Sequence, residues 1–182
     1  MMGVGKSTVG SRLAARLGRS FADSDREVER MAGRSIAEIF ASDGEARFRA
    51  LESEAVENLS SEGAVIALGG GTIAQPGMVE RLEARGPIVF LMADPTVLVD
   101  RIGSDPGRPL LAGLDRSARI EKLRTLLAER WPYYARARIR IEANGDPDEI
   151  ADRIVRLLEA GSDGHDPIAG GASIGTGRTE AG

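Results

Sequence analysis

The chain has 182 residues, 42% of them apolar and 29% charged, a balance typical of one globular domain rather than two. Its net charge of -4 argues against a nucleic-acid-binding surface, and no leader-like segment or long apolar run is found, so we expect a cytoplasmic protein without membrane contact. Cysteine is absent and the single histidine, His165, lies in a Gly/Ser/Asp-rich tail, which excludes disulfides, thiolate metal sites and a histidine base. Any chemistry must rest on carboxylates, arginines, Lys6 and a cofactor.

The first ten residues predict a phosphate-binding loop. A Gly-Lys-Ser sequence opens an amphipathic helix that is predicted to run from about Lys6 to Leu17 and to end at Gly18. In such loops the backbone N–H groups face phosphate oxygens, the lysine reaches the β- and γ-phosphates, and the hydroxyl ligates Mg²⁺. Only two of the 24 basic residues are lysines, and Lys6 is one of them. The alternative is an ordinary helix with a glycine-rich start.

The phosphate-loop pattern is incomplete at its front. The pattern G-x-x-x-x-G-K-[ST] requires a glycine five places before Gly5, and a β-strand normally precedes the loop. We therefore expect the protein as made in its cell to begin upstream, with an apolar strand and a glycine before Met1. The alternative is that the chain as written is genuine and binds a nucleotide or metabolite without catalysis.

Further along, apolar residues alternate between strand and helix periods, which predicts an α/β fold with a parallel sheet. The predicted strands are 20–23, 64–68, 88–92 and 139–141. The predicted helices are 26–32, 36–42, 45–60, 76–84, 96–102, 117–130 and 147–160. From residue 161 onward almost nothing is available to bury, so we expect a folded domain over 1–160 and a disordered tail over 161–182.

Two short segments follow predicted strands, where ligands bind in open α/β sheets. Asp23-Ser24-Asp25 closes the first of these strands, although Ser24 to Glu27 also fits a capping box that would simply start a helix. Gly69-Gly70-Gly71 ends the next strand. It is either a tight turn or a place where a substrate lies against bare backbone.

Two predicted helices carry charged residues on their apolar faces. Glu52 falls within the apolar stripe of its helix, with Arg49 at the edge of that stripe, and Arg130 falls within the stripe of a later helix. Each arginine could extend to solvent along its aliphatic stem. Two inward arginines in a phosphate-loop protein instead indicate a small anionic substrate, because a guanidinium binds a carboxylate through two parallel hydrogen bonds.

The segment between Gly103 and Arg116 joins two helices and is rich in glycine and proline. It is either a plain surface loop or a lid, about 103–116, that excludes water and brings Arg108 to the phosphates.

In this order the residues resemble the shikimate kinase family, within the nucleoside-monophosphate-kinase-like group of phosphate-loop kinases, over roughly residues 1–160. The matching segments are Gly3-Val4-Gly5-Lys6-Ser7-Thr8, Asp23-Ser24-Asp25, Gly44 with Phe48-Arg49 and Glu52, Gly69-Gly70-Gly71, Arg108-Pro109-Leu110-Leu111, and Arg130 with Pro132-Tyr133-Tyr134. The resemblance implies a three-layer, doubly wound α/β fold with a five-stranded parallel sheet in the order 2-3-1-4-5, whose first strand is missing from this chain. It also implies ATP-dependent phosphorylation of the shikimate 3-hydroxyl, a step of aromatic amino acid biosynthesis.

The resemblance assigns two groups of site residues. The nucleotide group would bind ATP, with Ser7 and Asp23 holding Mg²⁺, and it comprises Gly3, Gly5, Lys6, Ser7, Thr8, Arg101, Arg108 and Pro147. The substrate group would bind shikimate and comprises Asp25, Arg49, Glu52, Gly70, Gly71 and Arg130. Within them Lys6, Asp25 and Arg108 would be catalytic.

The resemblance gives each residue of the substrate group a role. Asp25 would bind ring hydroxyls and accept the proton of the reacting hydroxyl. Arg49 and Arg130 would clamp the carboxylate, Glu52 would orient Arg49, and the glycines would line the pocket. Gly145 departs from the family at a position near the adenine where a basic residue is often found.

Other functions remain open from the sequence. A gluconate-kinase-like enzyme or a nucleotide kinase of the same fold is one alternative, although Asp25, the triple glycine and the inward arginines argue against it. A non-catalytic nucleotide or metabolite binder is the other. We expect a monomer whose partners are small molecules only.

Overall fold

A computed structural model describes residues 1–59, 63–103 and 109–162. Residues 104–108 of the predicted lid, including Arg108, and nearly all of the predicted tail lie outside the described residues, so the lid and the tail stay predictions. The described residues form an alternating series of helices and strands.

The strands are β1 (Phe21–Asp23), β2 (Val65–Ala67), β3 (Val89–Met92) and β4 (Ile139–Glu142). The helices are α1 (Lys6–Leu17), α2 (Ser24–Ala32), α3 (Ile36–Leu59), α4 (Met78–Glu83), α5 (Pro95–Ile102), α6 (Arg116–Tyr134) and α7 (Pro147–Ser162). Two 3-10 turns are present as well, Thr72–Ala74 and Pro109–Leu111. All the strands and helices predicted from periodicity are present, with shifts of a few residues at their ends.

The described strands pair in parallel as two two-stranded sheets. In one, Ala22 of β1 lies opposite Ile66 of β2; in the other, Phe90 of β3 lies opposite Arg140 of β4. These pairs are the ones expected on either side of a central strand in the predicted order. The predicted α/β class with parallel strands and helical layers is thereby confirmed.

A cavity of about 470 Å³ is lined by residues of both β2 and β3. Its walls also include Leu13 of α1 and Ile154 and Leu158 of α7, so most of its surface is apolar. No hydrogen-bonded ladder joins β2 to β3 among the described residues. The two sheets are therefore connected through helices rather than through strand pairing.

Helix α1 packs against α7 and carries ion pairs to it. Arg16 lies 2.9 Å from Asp148 and also contacts Asp152, while Arg12 contacts Asp148. These side chains are partly solvent-accessible, so the pairs add little stability individually. The apolar residues of the two helices, which belong to the main core cluster, supply most of the packing.

Helix α3 consists of two helical stretches that meet at a kink at Gly44, which has φ 78° and ψ 176°. The two helices predicted on either side of Gly44 are thus present and joined end to end. A side chain at this φ would be strained, so glycine suits the kink. The kink sets the direction of the second half of α3, which carries Phe48, Arg49 and Glu52. Phe48 packs with Val28 and Ile39 in a second, smaller core.

Two capping predictions have different outcomes. The box at Ser35 and Glu38 is confirmed, since each backbone N–H donates to the other side chain, at 2.8 Å from Ser35 and 3.3 Å from Glu38. The box at Ser24 is wrong. Asp23 caps α2 instead, accepting from the N–H of Asp25 at 3.0 Å, because the Ser24 hydroxyl is buried and accepts a bond from another strand end.

Within residues 1–59, 63–103 and 109–162, no helix has the length and apolar character needed to cross a membrane.

Candidate active site

The N-terminus of α1 has no side-chain cap. Gly5 occupies the cap position with φ 92°, Gly3 has φ 72°, and the first turn holds no acidic residue. By contrast, α5 and α6 are capped by Asp94 and Asp115. The N–H groups of the first turn and the positive end of the helix dipole make this terminus suitable for a phosphate group.

Ser7 and Asp23 bring the loop next to the end of β1. The Ser7 hydroxyl donates to Asp23 Oδ2 at 2.5 Å, and Asp23 Oδ1 accepts from the N–H of Asp25. Two oxygen donors, one of them anionic, suit a hard cation such as Mg²⁺. Among the described residues there is no group of three His, Cys, Asp or Glu side chains that could hold a metal by themselves.

Lys6 is partly buried and points back over the loop. Its Nζ donates to the Met1 carbonyl oxygen at 2.9 Å. Met1 is itself buried. The backbone of Met1 and Met2 lies close to Gly70, so the start of the chain lies between the phosphate loop and the glycine segment, residues 69–71.

The glycine segment is fixed to the end of β1 by Ser24. Ser24 is fully buried, and its hydroxyl accepts from the N–H of Gly69 at 2.8 Å. A Cβ placed on Gly69 would lie 2.5 Å from Asp25 Oδ1 and 2.6 Å from Glu52 Oε1. The carboxylates of Asp25 and Glu52 therefore lie against the same face of Gly69, and only glycine leaves room for both.

Glu52 is the centre of a buried hydrogen-bond cluster. It is 1% exposed, and it accepts from Arg49 Nη1 at 2.5 Å, from Thr72 Oγ1 at 2.8 Å and from Gln75 Nε2 at 3.1 Å. A buried carboxylate is costly unless it is paired and hydrogen-bonded. These three donors meet that requirement and leave the charge of Arg49 directed towards the glycine segment, where a Cβ on Gly71 would lie 2.5 Å from Arg49 Nη1.

Arg49 also contacts Glu45, one turn earlier on α3. Glu45 Oε1 accepts from Nη2 at 2.7 Å and from Nε at 3.2 Å. Burial tends to lower the pKa of Arg49, but Glu52 and Glu45 outweigh it and raise the pKa above its ordinary value. The guanidinium therefore stays charged at every pH of interest.

Arg130 and Tyr134 converge on the carbonyl oxygen of Gly70. Arg130 Nη1 donates at 2.9 Å and the Tyr134 hydroxyl at 2.6 Å. Arg130 is 8% exposed, so its predicted inward orientation is correct and the solvent-directed alternative is not. Burial raises the pKa of Tyr134, with Arg130 opposing the shift, so the hydroxyl stays protonated and donating.

Arg101 and Pro147 lie near the loop that follows β4. Arg101 Nη2 donates to the Ala143 carbonyl oxygen at 2.8 Å, and Pro147 begins α7 four residues later. Gly145 in this loop has φ 153°.

Thr8 is exposed on the first turn of α1. The predicted contact of Arg108 with phosphates falls outside the described residues.

The sequence reasoning missed four residues of this site: Ser24 as the anchor of Gly69, Thr72 and Gln75 as donors to Glu52, and Tyr134 as a donor to Gly70. Tyr134 had a usable signal, since it lies four residues after Arg130 and so shares its helix face. Thr72 directly follows the triple glycine. Ser24 and Gln75 offered no signal, because their partners are 45 and 23 residues away.

The crowding at Gly69 gives a testable expectation. Gly69→Ala should lower the free energy of unfolding by roughly 1 to 3 kcal/mol, because its Cβ must displace Asp25 or the buried Glu52 and Thr72. Urea unfolding followed by fluorescence of the single tryptophan, Trp131, measures this. Gly86→Ala is the matched control, since a Cβ there meets nothing within 4 Å. Equal stability of the two variants would contradict the placement of these carboxylates.

Known proteins match this chain over most of its length. A family model described as shikimate kinase matches residues 2–159. The chain is 47% identical over 161 residues to a shikimate kinase of Mycobacterium avium, covering 87% of this chain and 89% of that protein. It is 42% identical over 157 residues to a shikimate kinase of Caldanaerobacter subterraneus, covering 85% and 90%.

Solved structures give the same result. A shikimate kinase from Acinetobacter baumannii in complex with shikimate superposes with a TM-score of 0.82 at 39% identity, covering 88% of this chain and 89% of that one. A shikimate kinase from Aquifex aeolicus superposes with a TM-score of 0.78 at 36% identity, covering 91% and 96%. The phosphate-loop kinase fold is thus confirmed, and the chain belongs to the shikimate kinase family.

Proposed function

We propose that this chain transfers a phosphoryl group from ATP to the 3-hydroxyl of shikimate. The observation that carries the proposal is the hydrogen-bonded connection from Ser7 through Asp23 to the backbone of Asp25. It joins a helix N-terminus suited to phosphate to a carboxylate suited to a hydroxyl. A donor phosphate and an acceptor hydroxyl held at these two places would be neighbours.

The nucleotide side rests on the start of α1. Gly3 and Gly5 keep side chains away from the loop, and the N–H groups of the first turn, including those of Ser7 and Thr8, would bind phosphate oxygens. Lys6 would leave the Met1 carbonyl and pair with the β- and γ-phosphates. Arg101 and Pro147 would lie near the adenine. Gly145 has no side chain, so the adenine would have one contact fewer here than in family members with a basic residue at that position.

The residues present fit a magnesium ion. Ser7 and Asp23 would hold it, with the remaining ligands from phosphates and water, because Mg²⁺ is usually bound by one or two protein groups together with the nucleotide. The bound ion supplies charge neutralisation on the phosphate oxygens. The Ser7 to Asp23 hydrogen bond keeps both oxygens in one place before any ion binds.

The substrate side would hold a carboxylate between Arg49 and Arg130. Both guanidinium groups lie beside the glycine segment, and Gly70 and Gly71 leave that surface bare. Of the two carboxylates on Arg49, Glu52 is buried and Glu45 is exposed. We infer that the substrate carboxylate displaces Glu45 and that Glu52 remains, because an exposed ion pair costs little to break.

Asp25 would bind the ring hydroxyls and accept the proton of the attacking one. A carboxylate can act as the general base when it lies within hydrogen-bond reach of that proton. Its backbone is fixed by the Asp23 cap, and its side chain lies against Gly69. Arg108 would approach the phosphates from the lid and stabilise charge in the transition state, as an arginine does in many phosphoryl-transfer enzymes.

The protein is further proposed to act as a monomer in the cytoplasm.

Substrate choice tests the function. With Mg²⁺ and ATP, ADP release coupled to NADH oxidation should be far faster with shikimate than with gluconate or with nucleoside monophosphates. The reason is that two arginines oppose one carboxylate while Asp25 selects for hydroxyls on a rigid ring. Removing the metal with EDTA should abolish the rate, and added Mg²⁺ should restore it. Equal rates with shikimate and gluconate would contradict the assignment, and no turnover with any of them would favour a non-catalytic binder.

The two arginines give a more specific expectation. Arg49→Ala and Arg130→Ala should each raise KM for shikimate while leaving KM for ATP within a few-fold. An arginine–carboxylate hydrogen bond is worth about 1.5 to 3 kcal/mol, which corresponds to a rise of roughly ten- to hundredfold. Arg124→Ala on the exposed face of α6 is the matched control and should leave both constants unchanged. A rise in KM for ATP alone would show that the arginines serve the nucleotide.

A further inference from the structure

The 3-10 turn after the triple glycine brings two side chains to Glu52. Thr72 is fully buried and donates to Oε1, and Gln75 is half-buried and donates to Oε2. Arg49 Nη1 shares Oε2 with Gln75. Both oxygens of the carboxylate are therefore occupied, one by a hydroxyl and the other by an amide and a guanidinium.

We infer that Thr72 and Gln75 are positioning residues, which hold Glu52 in one rotamer and through it fix the guanidinium of Arg49 for the substrate carboxylate. This inference rests on the proposed function, in which Arg49 binds that carboxylate. Thr72 and Gln75 act through Glu52 and Arg49 without touching the substrate.

Thr72 and Gln75 limit the rotation of the Glu52 carboxylate. A carboxylate held only by Arg49, on the same helix, could turn with the arginine, since both belong to α3. The two donors belong to a different segment of the chain and contact the two different oxygens. They therefore fix the plane of the carboxylate relative to the glycine segment.

The same turn also fixes the position of Arg49 relative to the glycine segment. It is hydrogen-bonded to the glycine segment, from the N–H of Thr72 to the Gly69 carbonyl at 3.2 Å and from the N–H of Ala74 to the Gly71 carbonyl at 3.1 Å. Any movement of the glycine segment is passed to Thr72 and on to Glu52. Arg49 and the glycine segment thus keep their relative position.

Glu45 and Glu52 bind different edges of the Arg49 guanidinium, and Glu45 lies on the solvent side. It binds the Nε and Nη2 edge of the guanidinium. If Glu52 were loosely held, Arg49 could turn outward with Glu45 towards solvent. The buried Glu52, kept in place by Thr72 and Gln75, opposes that movement and keeps the guanidinium beside Gly71.

The test compares shikimate with its uncharged carboxamide, which lacks the anionic group that Arg49 would bind. Thr72→Val removes the hydroxyl and keeps the branched shape, and Gln75→Leu removes the amide. In each variant KM for shikimate should rise roughly tenfold, as expected when a hydrogen bond to a charged group is lost. KM for the carboxamide and KM for ATP should change less than about twofold, and Thr72→Ser should restore the wild-type value because it keeps the hydroxyl.

Thr125→Val is the control, since it removes an exposed hydroxyl on α6 and should change no constant. An equal rise of KM for shikimate and its carboxamide, or a Thr72→Ser variant as weak as Thr72→Val, would mean a merely structural role and overturn the inference. If the wild-type chain does not prefer shikimate to its carboxamide, the carboxylate clamp of the proposed function fails as well. If it does, and Thr72→Val and Gln75→Leu keep that preference, only the positioning role fails.

Discussion

The site depends on one buried carboxylate. Glu52 is 1% exposed and lies on a helix that would otherwise present an apolar face, so its charge must be matched by donors or the fold loses several kcal/mol. Arg49 supplies the countercharge, and Thr72 and Gln75 supply the remaining hydrogen bonds. Satisfying this carboxylate brings helix α3, the glycine segment and the turn after it to one place.

The start of α1, which is proposed to bind phosphate, differs from the surroundings of Glu52. Helix α1 begins with glycines and has no side-chain cap, and its first N–H groups are proposed to bind phosphate, whereas Glu52 accepts hydrogen bonds on both oxygens from within the protein. Asp23 joins the two halves because it caps α2 and accepts from Ser7 on α1. The substrate side is therefore held in place by hydrogen bonds within the protein. The phosphate side instead presents the uncapped start of a helix, which suits a highly charged group.

The sequence predicted the fold class and the burial of several charged side chains, and the reasons differ from residue to residue. Helical periodicity placed Glu52 and Arg130 inward, because a charge in an apolar stripe stands out in any helix. The capping-box pattern misassigned Ser24, since Asp23 caps α2 and the Ser24 hydroxyl accepts from the N–H of Gly69, far along the chain. The role of Gln75 could not be assigned, because it depends on which carboxylate the fold brings near. The separation of the sheets around a cavity is likewise a tertiary property.

Glu52 is proposed to act on the substrate only through Arg49. The most direct measurement is a double-mutant cycle on shikimate affinity by titration calorimetry, using Arg49→Ala, Glu52→Gln and the double variant. Each single variant should bind more weakly than wild type, and the double variant should bind no more weakly than Arg49→Ala alone, because Glu52 then has nothing to position. Losses of binding free energy that simply add in the double variant would show that Glu52 acts independently and would contradict the claim.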